Sequence, residues 1–72
     1  MAISAYDLKQ LLLNGSNASI DAADYSPYDL KEAARITREA GGSLEVRNAN
    51  NLSASEAKGI ADRGKSNVTF IF

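Results

Sequence analysis

The sequence predicts an α/β fold. Three helix–strand units form a short solenoid, with a three-stranded parallel sheet and helices on one face. Three observations predict it. One helix-start pattern occurs three times, each helical pattern ends at a glycine, and each glycine is followed by a short segment of alternating apolar side chains. The units cover approximately residues 3–24, 25–51 and 52–72, within a single domain of residues 1–72.

Each helix start has an apolar residue, a serine, an acidic residue three positions after the serine, and a lysine two positions later. The serine is predicted to accept a hydrogen bond from an unpaired backbone N–H. The acidic residue completes a capping box and faces the positive end of the helix dipole. The predicted caps and their acidic partners are Ser4 with Asp7, Ser26 with Asp29, and Ser53 with Glu56.

The three helices are predicted over residues 5–14, 27–40 and 54–63. Pro27 stands at the first helical position, where an N–H is not needed, and glycine follows each helix at Gly15, Gly41 and Gly64. Each helix carries an apolar stripe that predicts its buried face. The stripes are Leu8, Leu11 and Leu12; then Leu30, Ala33, Ala34 and Thr37 with Ile36 at the margin; then Ala57, Ile60 and Ala61.

The three strands are predicted over residues 18–22, 44–47 and 67–72. Strands separated by a helix pair in parallel, and alternation indicates that one face of the sheet is apolar and the other polar. The apolar face carries Ala18, Ile20 and Ala22, then Leu44 and Val46, then Val68, Phe70 and Phe72. The opposite face carries Ser19, Asp21, Glu45, Arg47, Thr69 and Ile71.

Residues 44–61 are similar to a known family of repeats. The cap serines are 22 and 27 residues apart, which is a leucine-rich-repeat period. The segments Leu44-Glu45-Val46, Asn51-Leu52-Ser53 and Ala57-Lys58-Gly59-Ile60-Ala61 resemble the strand, turn and helix of the ribonuclease-inhibitor type of leucine-rich repeat. The ladder asparagine of that family would stand at Ala49, and Tyr25 would take the equivalent place in the first unit. The resemblance implies protein binding or assembly rather than catalysis.

Composition argues against several other function classes. The 72 residues carry 8 basic and 9 acidic side chains, a net charge of −1, which does not favour nucleic acid as a partner. The chain has neither Cys nor His, so we expect no metal site, no cofactor and no catalytic residue, and the cap serines lack a base that could activate them. Asp21, Glu45 and Arg47 could converge on the sheet face, where surface ion pairs are the expected outcome.

The sequence has no apolar run of about 20 residues and no signal-peptide pattern, so we expect no membrane partner. It begins with Met and ends on a strand, which favours a complete chain made in the cytoplasm.

The last strand suggests a function. Val68, Thr69, Phe70, Ile71 and Phe72 form an apolar segment without charge or proline, and sequential strand order would put it at the sheet edge. We predict that this edge pairs with the end formed by Ala18, Ile20 and Ala22 of another copy, giving a head-to-tail homo-oligomer or filament. The alternative to edge pairing is that the last strand is central in the sheet and that Phe70, Ile71 and Phe72 fold into the core.

A second surface is predicted on the helices. Tyr6, Leu13 and Tyr28 fall away from the apolar stripes and suit an interface, unless loops such as residues 14–19 partly bury them. The rival function is a monomeric module that binds another protein through the polar sheet face, with Asp21, Glu45, Arg47, Thr69 and Ile71 as the presented side chains.

Overall fold

The computed structural model describes residues 2–72 and confirms the mixed α/β class. The helices are α1 (Ala5–Leu13), α2 (Pro27–Ala40) and α3 (Ala54–Gly64). The strands are β1 (Ala18–Asp21), β2 (Leu44–Arg47) and β3 (Val68–Phe70), and they form one parallel sheet in the order β1-β2-β3. Three short 3₁₀ helices complete the chain at Ala22–Asp24, Ala49–Asn51 and Lys65–Asn67.

The three predicted serine caps are present. Oγ of Ser4, Ser26 and Ser53 accepts a hydrogen bond from the backbone N–H three residues later, at 3.1, 3.2 and 3.1 Å. Only Ser53 has the reciprocal bond of a capping box, in which its own N–H donates to Glu56 Oε1 at 2.9 Å.

The capping boxes predicted at Asp7 and Asp29 are wrong. Aspartate is one methylene shorter than glutamate, and the Asp29 carboxylate instead accepts from Ser26 Oγ and from Lys9. The helix starts therefore use the same serine cap, but their acidic residues make different contacts.

The core is one cluster that joins all three helices to the apolar face of the sheet. Its buried hydrophobic members are Leu8, Leu12, Ile20, Ala22, Leu30, Ala33, Ala34, Ile36, Leu44, Val46 and Ile60. Thr37 is also buried, and its Oγ1 donates to the carbonyl of Ala33 at 2.8 Å, so its hydroxyl is satisfied.

Leu11 does not belong to the core. It is 49% exposed, so the prediction of a Leu8–Leu11–Leu12 stripe is wrong in that residue. Leu8 and Leu12 are one helical turn apart and point into the cluster. Leu11 lies instead beside β1, toward the side of the molecule away from α2.

Both outer strands are shorter than predicted. Ala22 begins a 3₁₀ helix because the Asp21 carboxylate accepts from the N–H of Ala23 at 2.8 Å and turns the chain. Asn67 likewise belongs to a 3₁₀ helix rather than to a strand. Beyond β3, Ile71 still donates to the carbonyl of Val46 and accepts from the N–H of Ala49, each at 2.9 Å. Phe72 lies outside the strand.

The turns after β1 and β2 differ by one residue. Asn48 adopts a left-handed conformation with φ of 56° before Ala49, whereas Ala22 follows Asp21 directly. Ala22 and Ala49 both begin a 3₁₀ helix and both are buried. Tyr25 therefore corresponds to Leu52, because each is the C-cap of its 3₁₀ helix, and not to Ala49 as the resemblance implies.

Gly64 is part of α3 and not the stop signal that the sequence predicts. Its φ is −91°, and the residue with a positive φ is the next one, Lys65, with φ of 52°. Gly64 is buried, and a Cβ there would overlap Cγ2 of Val68 and lie 3.1 Å from Cβ of Ala34. The glycine allows α3 to approach β3 and α2 closely.

The substitution Gly64→Ala should therefore destabilise the fold by about 1–3 kcal/mol, because the added methyl overpacks the contact with Val68. Gly59→Ala in the same helix is the matched control, since its methyl meets only the flexible end of Lys31. That variant should be neutral or more stable by up to about 1 kcal/mol, because alanine favours a helix. Urea unfolding of both variants measures the difference, and equal effects would contradict the packing role of Gly64.

Candidate functional site

Exposed apolar side chains lie beside both edges of the sheet, at β1 and at β3. Ile3 and Leu11 lie at the β1 end, with 43% and 49% of their surface exposed. Ile71 and Phe72 follow β3 at the other end, and the ring of Phe72 stacks on Phe70 with centroids 6.2 Å apart. Val68 and Phe70 pack against the core cluster. Apolar side chains are therefore exposed along both edges of the sheet.

The outer strands each pair with β2 alone, so each has an unpaired side within residues 2–72. Ala18 N–H donates to the carbonyl of Ser43 in the chain leading into β2, and Ile71 N–H donates to that of Val46. Backbone groups alternate sides along a strand, so the N–H and C=O of Ser19 and Phe70 point away from β2. These groups form two open hydrogen-bonding edges.

A groove of about 530 Å³ runs between the start of α1 and β1. Its apolar wall includes Ile3, Leu11 and Ala18, and its polar end includes Asp21 and Arg47. The hydroxyl of Tyr25 donates to the carbonyl of Ile3 at 2.8 Å and ties the segment before α1 to this wall. Partial burial, with a smaller contribution from Asp24, raises the pKa of Tyr25 above its usual value, and the protonated hydroxyl is the donor in this bond.

The polar face of the sheet is joined by hydrogen bonds through Ser19. Ser19 Oγ donates to Glu45 Oε1 at 2.6 Å and accepts from Arg47 Nε at 3.0 Å. Asp21 does not join Glu45 and Arg47, because its carboxylate accepts from Asn48 Nδ2 at 3.0 Å and from Ala23. Glu45 and Arg47 therefore meet only through Ser19, a link that was not predicted from the sequence. Within residues 2–72, the ion pairs expected among Asp21, Glu45 and Arg47 do not form.

The outer surface of the helices contains a cation site formed by two helices. Lys9 Nζ of α1 lies 3.0 Å from Asp29 Oδ1 and 5.8 Å from the ring centroid of Tyr28, both on α2. Hydrogen bonds from Lys9 and Ser26 lower the pKa of Asp29. This contact was not predicted from the sequence, although Tyr28 occupies in α2 the position that Tyr6 occupies in α1.

The three predicted surface residues of the helices are exposed. Tyr6 and Tyr28 each have 69% of their surface accessible, and Leu13 has 56%. These residues are accessible to a partner.

The described residues show neither a cluster of metal-ligating side chains nor a membrane-spanning helix. Within residues 2–72, no group of three or more Asp and Glu side chains is arranged to hold a metal ion. In the same part of the chain, none of the helices has both the length and the apolar character to cross a membrane. Searches with family models, against curated proteins and against solved structures find no match to the chain.

The ion pair at Asp29 predicts a pH-dependent stability. Because the pKa of Asp29 is lowered in the folded state, its contribution is complete above the unfolded pKa of about 4 and is lost as the pH falls through the folded pKa. Asp29→Asn should lower the free energy of unfolding by about 0.2–1 kcal/mol at pH 7. This difference should disappear once the pH is below the folded pKa of Asp29, where the carboxyl is protonated in both states.

Urea unfolding at several pH values measures this effect. Asp24→Asn is the control, since the Asp24 carboxylate bonds to none of the residues the structure describes, and it should match the unmodified chain. A difference between Asp29→Asn and the unmodified chain that persists undiminished in acid would contradict the assignment.

Proposed function

We propose that the protein is a small non-catalytic structural protein that self-associates head to tail through its sheet edges into a homo-oligomer or filament. In this proposal the three helix–strand units act as repeats of a short solenoid similar to leucine-rich repeats. The edge of β3 in one copy pairs with the edge of β1 in the next, and the parallel sheet continues from copy to copy.

The observation that carries the proposal is the shared register of the three strands. Ala18, Leu44 and Val68 stand in one row across the sheet, and Ser19, Glu45 and Thr69 stand in the next. Continuing this register puts Ser19 of a second copy beside Thr69. The outward N–H of Ser19 then faces the carbonyl of Val68, and its C=O faces the outward N–H of Phe70.

Apolar contacts would accompany the strand pairing. Ile71 and Phe72 lie exposed beside β3, and the groove beside β1 offers Ile3 and Leu11 to an approaching copy. Burial of exposed apolar surface is favourable by about 25 cal/mol per Å², and an open apolar edge strand is a template for another strand. Both contributions favour the same contact.

The two surfaces differ, so the contact is heterologous. A rotation that closes on itself would give a ring, and one that does not close would give a filament.

A second candidate is a monomeric module that binds another protein through the polar face of the sheet. The groove favours it, since its volume of about 530 Å³ lies beside Asp21 and Arg47. Glu45, Thr69 and Ile71 extend the same face. A concentration-independent monomer of 7.7 kDa in sedimentation velocity would exclude self-association and favour this alternative.

The edge pairing is tested by Ser19→Pro. Proline removes the outward N–H of Ser19, which the monomer does not use, and the exposed position tolerates its ring. Association measured by sedimentation velocity should be abolished or weakened by at least about tenfold, because a ladder hydrogen bond is lost and the ring blocks the edge.

Ser19→Ala is the matched control. It loses the same hydroxyl contacts with Glu45 and Arg47 but keeps the N–H, so it should associate like the unmodified chain. Circular dichroism verifies that both variants are folded. Equal association of the two variants would contradict pairing through this edge.

A further inference from the structure

The contact between α1 and α2 defines a lysine-binding site. Lys9 of α1 reaches the first turn of α2, where its ammonium lies 3.0 Å from Asp29 and 5.8 Å from the ring centroid of Tyr28. A carboxylate supplies the counter-charge and the aromatic face supplies a cation–π contact. The lysine of one unit is thus held by the Tyr-Asp pair of the following unit.

The first turn of α1 carries the same pair in the same positions. Tyr6-Asp7-Leu8-Lys9 and Tyr28-Asp29-Leu30-Lys31 are identical tetrapeptides, and each begins two residues after its cap serine. Tyr6 is exposed, and within residues 2–72 the Asp7 carboxylate makes no hydrogen bond or ion pair. The Tyr6–Asp7 site has the composition of the occupied site on α2 but holds no lysine of its own chain.

The first turn of α3 lacks such a site. It carries Ser55 where the others carry tyrosine, and the Glu56 carboxylate accepts from the N–H of Ser53. Lys31, the counterpart of Lys9, still extends toward α3, where its Cε lies 2.8 Å from the position a Cβ on Gly59 would take. Lysines at this helix position therefore reach toward the following helix in both internal contacts.

Lys58 is the third lysine at this position, and residues 2–72 contain no α-helix after α3 for it to reach. It pairs instead with Asp62 on its own helix at 3.0 Å, and both side chains are largely exposed. Exposed pairs of this spacing contribute little, so Lys58 is readily available to a better partner.

We infer that Lys58 of one copy binds the Tyr6–Asp7 site of the next copy. This inference rests on the proposed head-to-tail association, because that arrangement brings α1 of the second copy into the place that follows α3. The occupant is a second copy, because an identical chain brings a lysine at the matching position together with a matching strand edge. The pair would join α3 to α1 as Lys9 and Asp29 join α1 to α2.

The contact would also determine the direction of association. A contact between two α3 surfaces brings Lys58 against Lys58, and a contact between two α1 surfaces brings Asp7 against Asp7. Like charges disfavour both arrangements, whereas the head-to-tail arrangement puts opposite charges together.

The first test is Lys58→Glu in the full chain. The side chain is exposed, so folding should be retained, but the new carboxylate faces Asp7 of the next copy. We expect the association constant from sedimentation velocity at low salt to fall about three- to tenfold, with a smaller effect at 0.5 M salt. Asp62→Asn is the control. It removes the present partner of Lys58 and should leave association unchanged or slightly stronger.

The second test is rescue by charge exchange. Asp7→Lys alone should weaken association, and the double variant with Asp7→Lys and Lys58→Glu should regain it, since the pair is restored with reversed polarity. If Asp7→Lys does not fold, Tyr6→Ala with its cap and charge intact replaces it and should weaken association without affecting the monomer.

The outcomes separate this inference from the proposed function. If the unmodified chain associates and Ser19→Pro prevents it, but Lys58→Glu has no effect or the double variant shows no rescue, the lysine contact is overturned and edge pairing stands. If the unmodified chain remains a monomer at all concentrations, both proposals are overturned.

Discussion

The structure depends on the hydrogen bonding of one central strand. β2 pairs with β1 on one side and with β3 on the other, and the residue after β3 extends the second ladder through Ile71. Leu44 and Val46 point from this strand into the core and are buried completely or almost so. The outer strands can each use only half of their backbone groups in this sheet. The same pairing that holds the fold together thus creates its two open edges.

The helix layer, like the sheet, has one central element, α2, with α1 and α3 on either side of it. α2 is the longest helix, it packs against both α1 and α3, and it supplies five buried residues, more than either neighbour. α1 packs against α2 on one side, and so does α3. Leu11 of α1 is exposed, and Ala57 and Ala61 of α3, which the sequence predicts in a buried stripe, are only partly buried. A chain of 72 residues buries a smaller fraction of its surface than a larger domain does. Association at the two sides would extend the existing layers rather than create a new kind of contact.

Local signals in the sequence predicted most of the fold. Ser4, Ser26 and Ser53 cap the helices as expected, and the bounds of α2 are correct, because capping and alternation depend on neighbouring residues. The edge position of β3 is one of the two alternatives that the sequence left open. Errors arose where tertiary neighbours decide. Leu11 is exposed because α2 lies on the other side of α1, and Gly64 is required by Val68 rather than by a turn. The groove depends on how α1 packs against β1, and the Lys9 contact depends on how α1 packs against α2, so neither could be predicted from local signals.

The common register of the three strands has a geometric consequence for any assembly that continues it. Neighbouring strands lie about 4.8 Å apart, so each copy of three strands would advance the array by about 14 Å. The extra residue at Asn48 makes one of the three helix–strand units differ from the others. The three strands of one copy are therefore not equivalent, and the array would repeat about every 14 Å as well as at every strand. An ordered fibre of this chain would therefore diffract at both spacings along its axis.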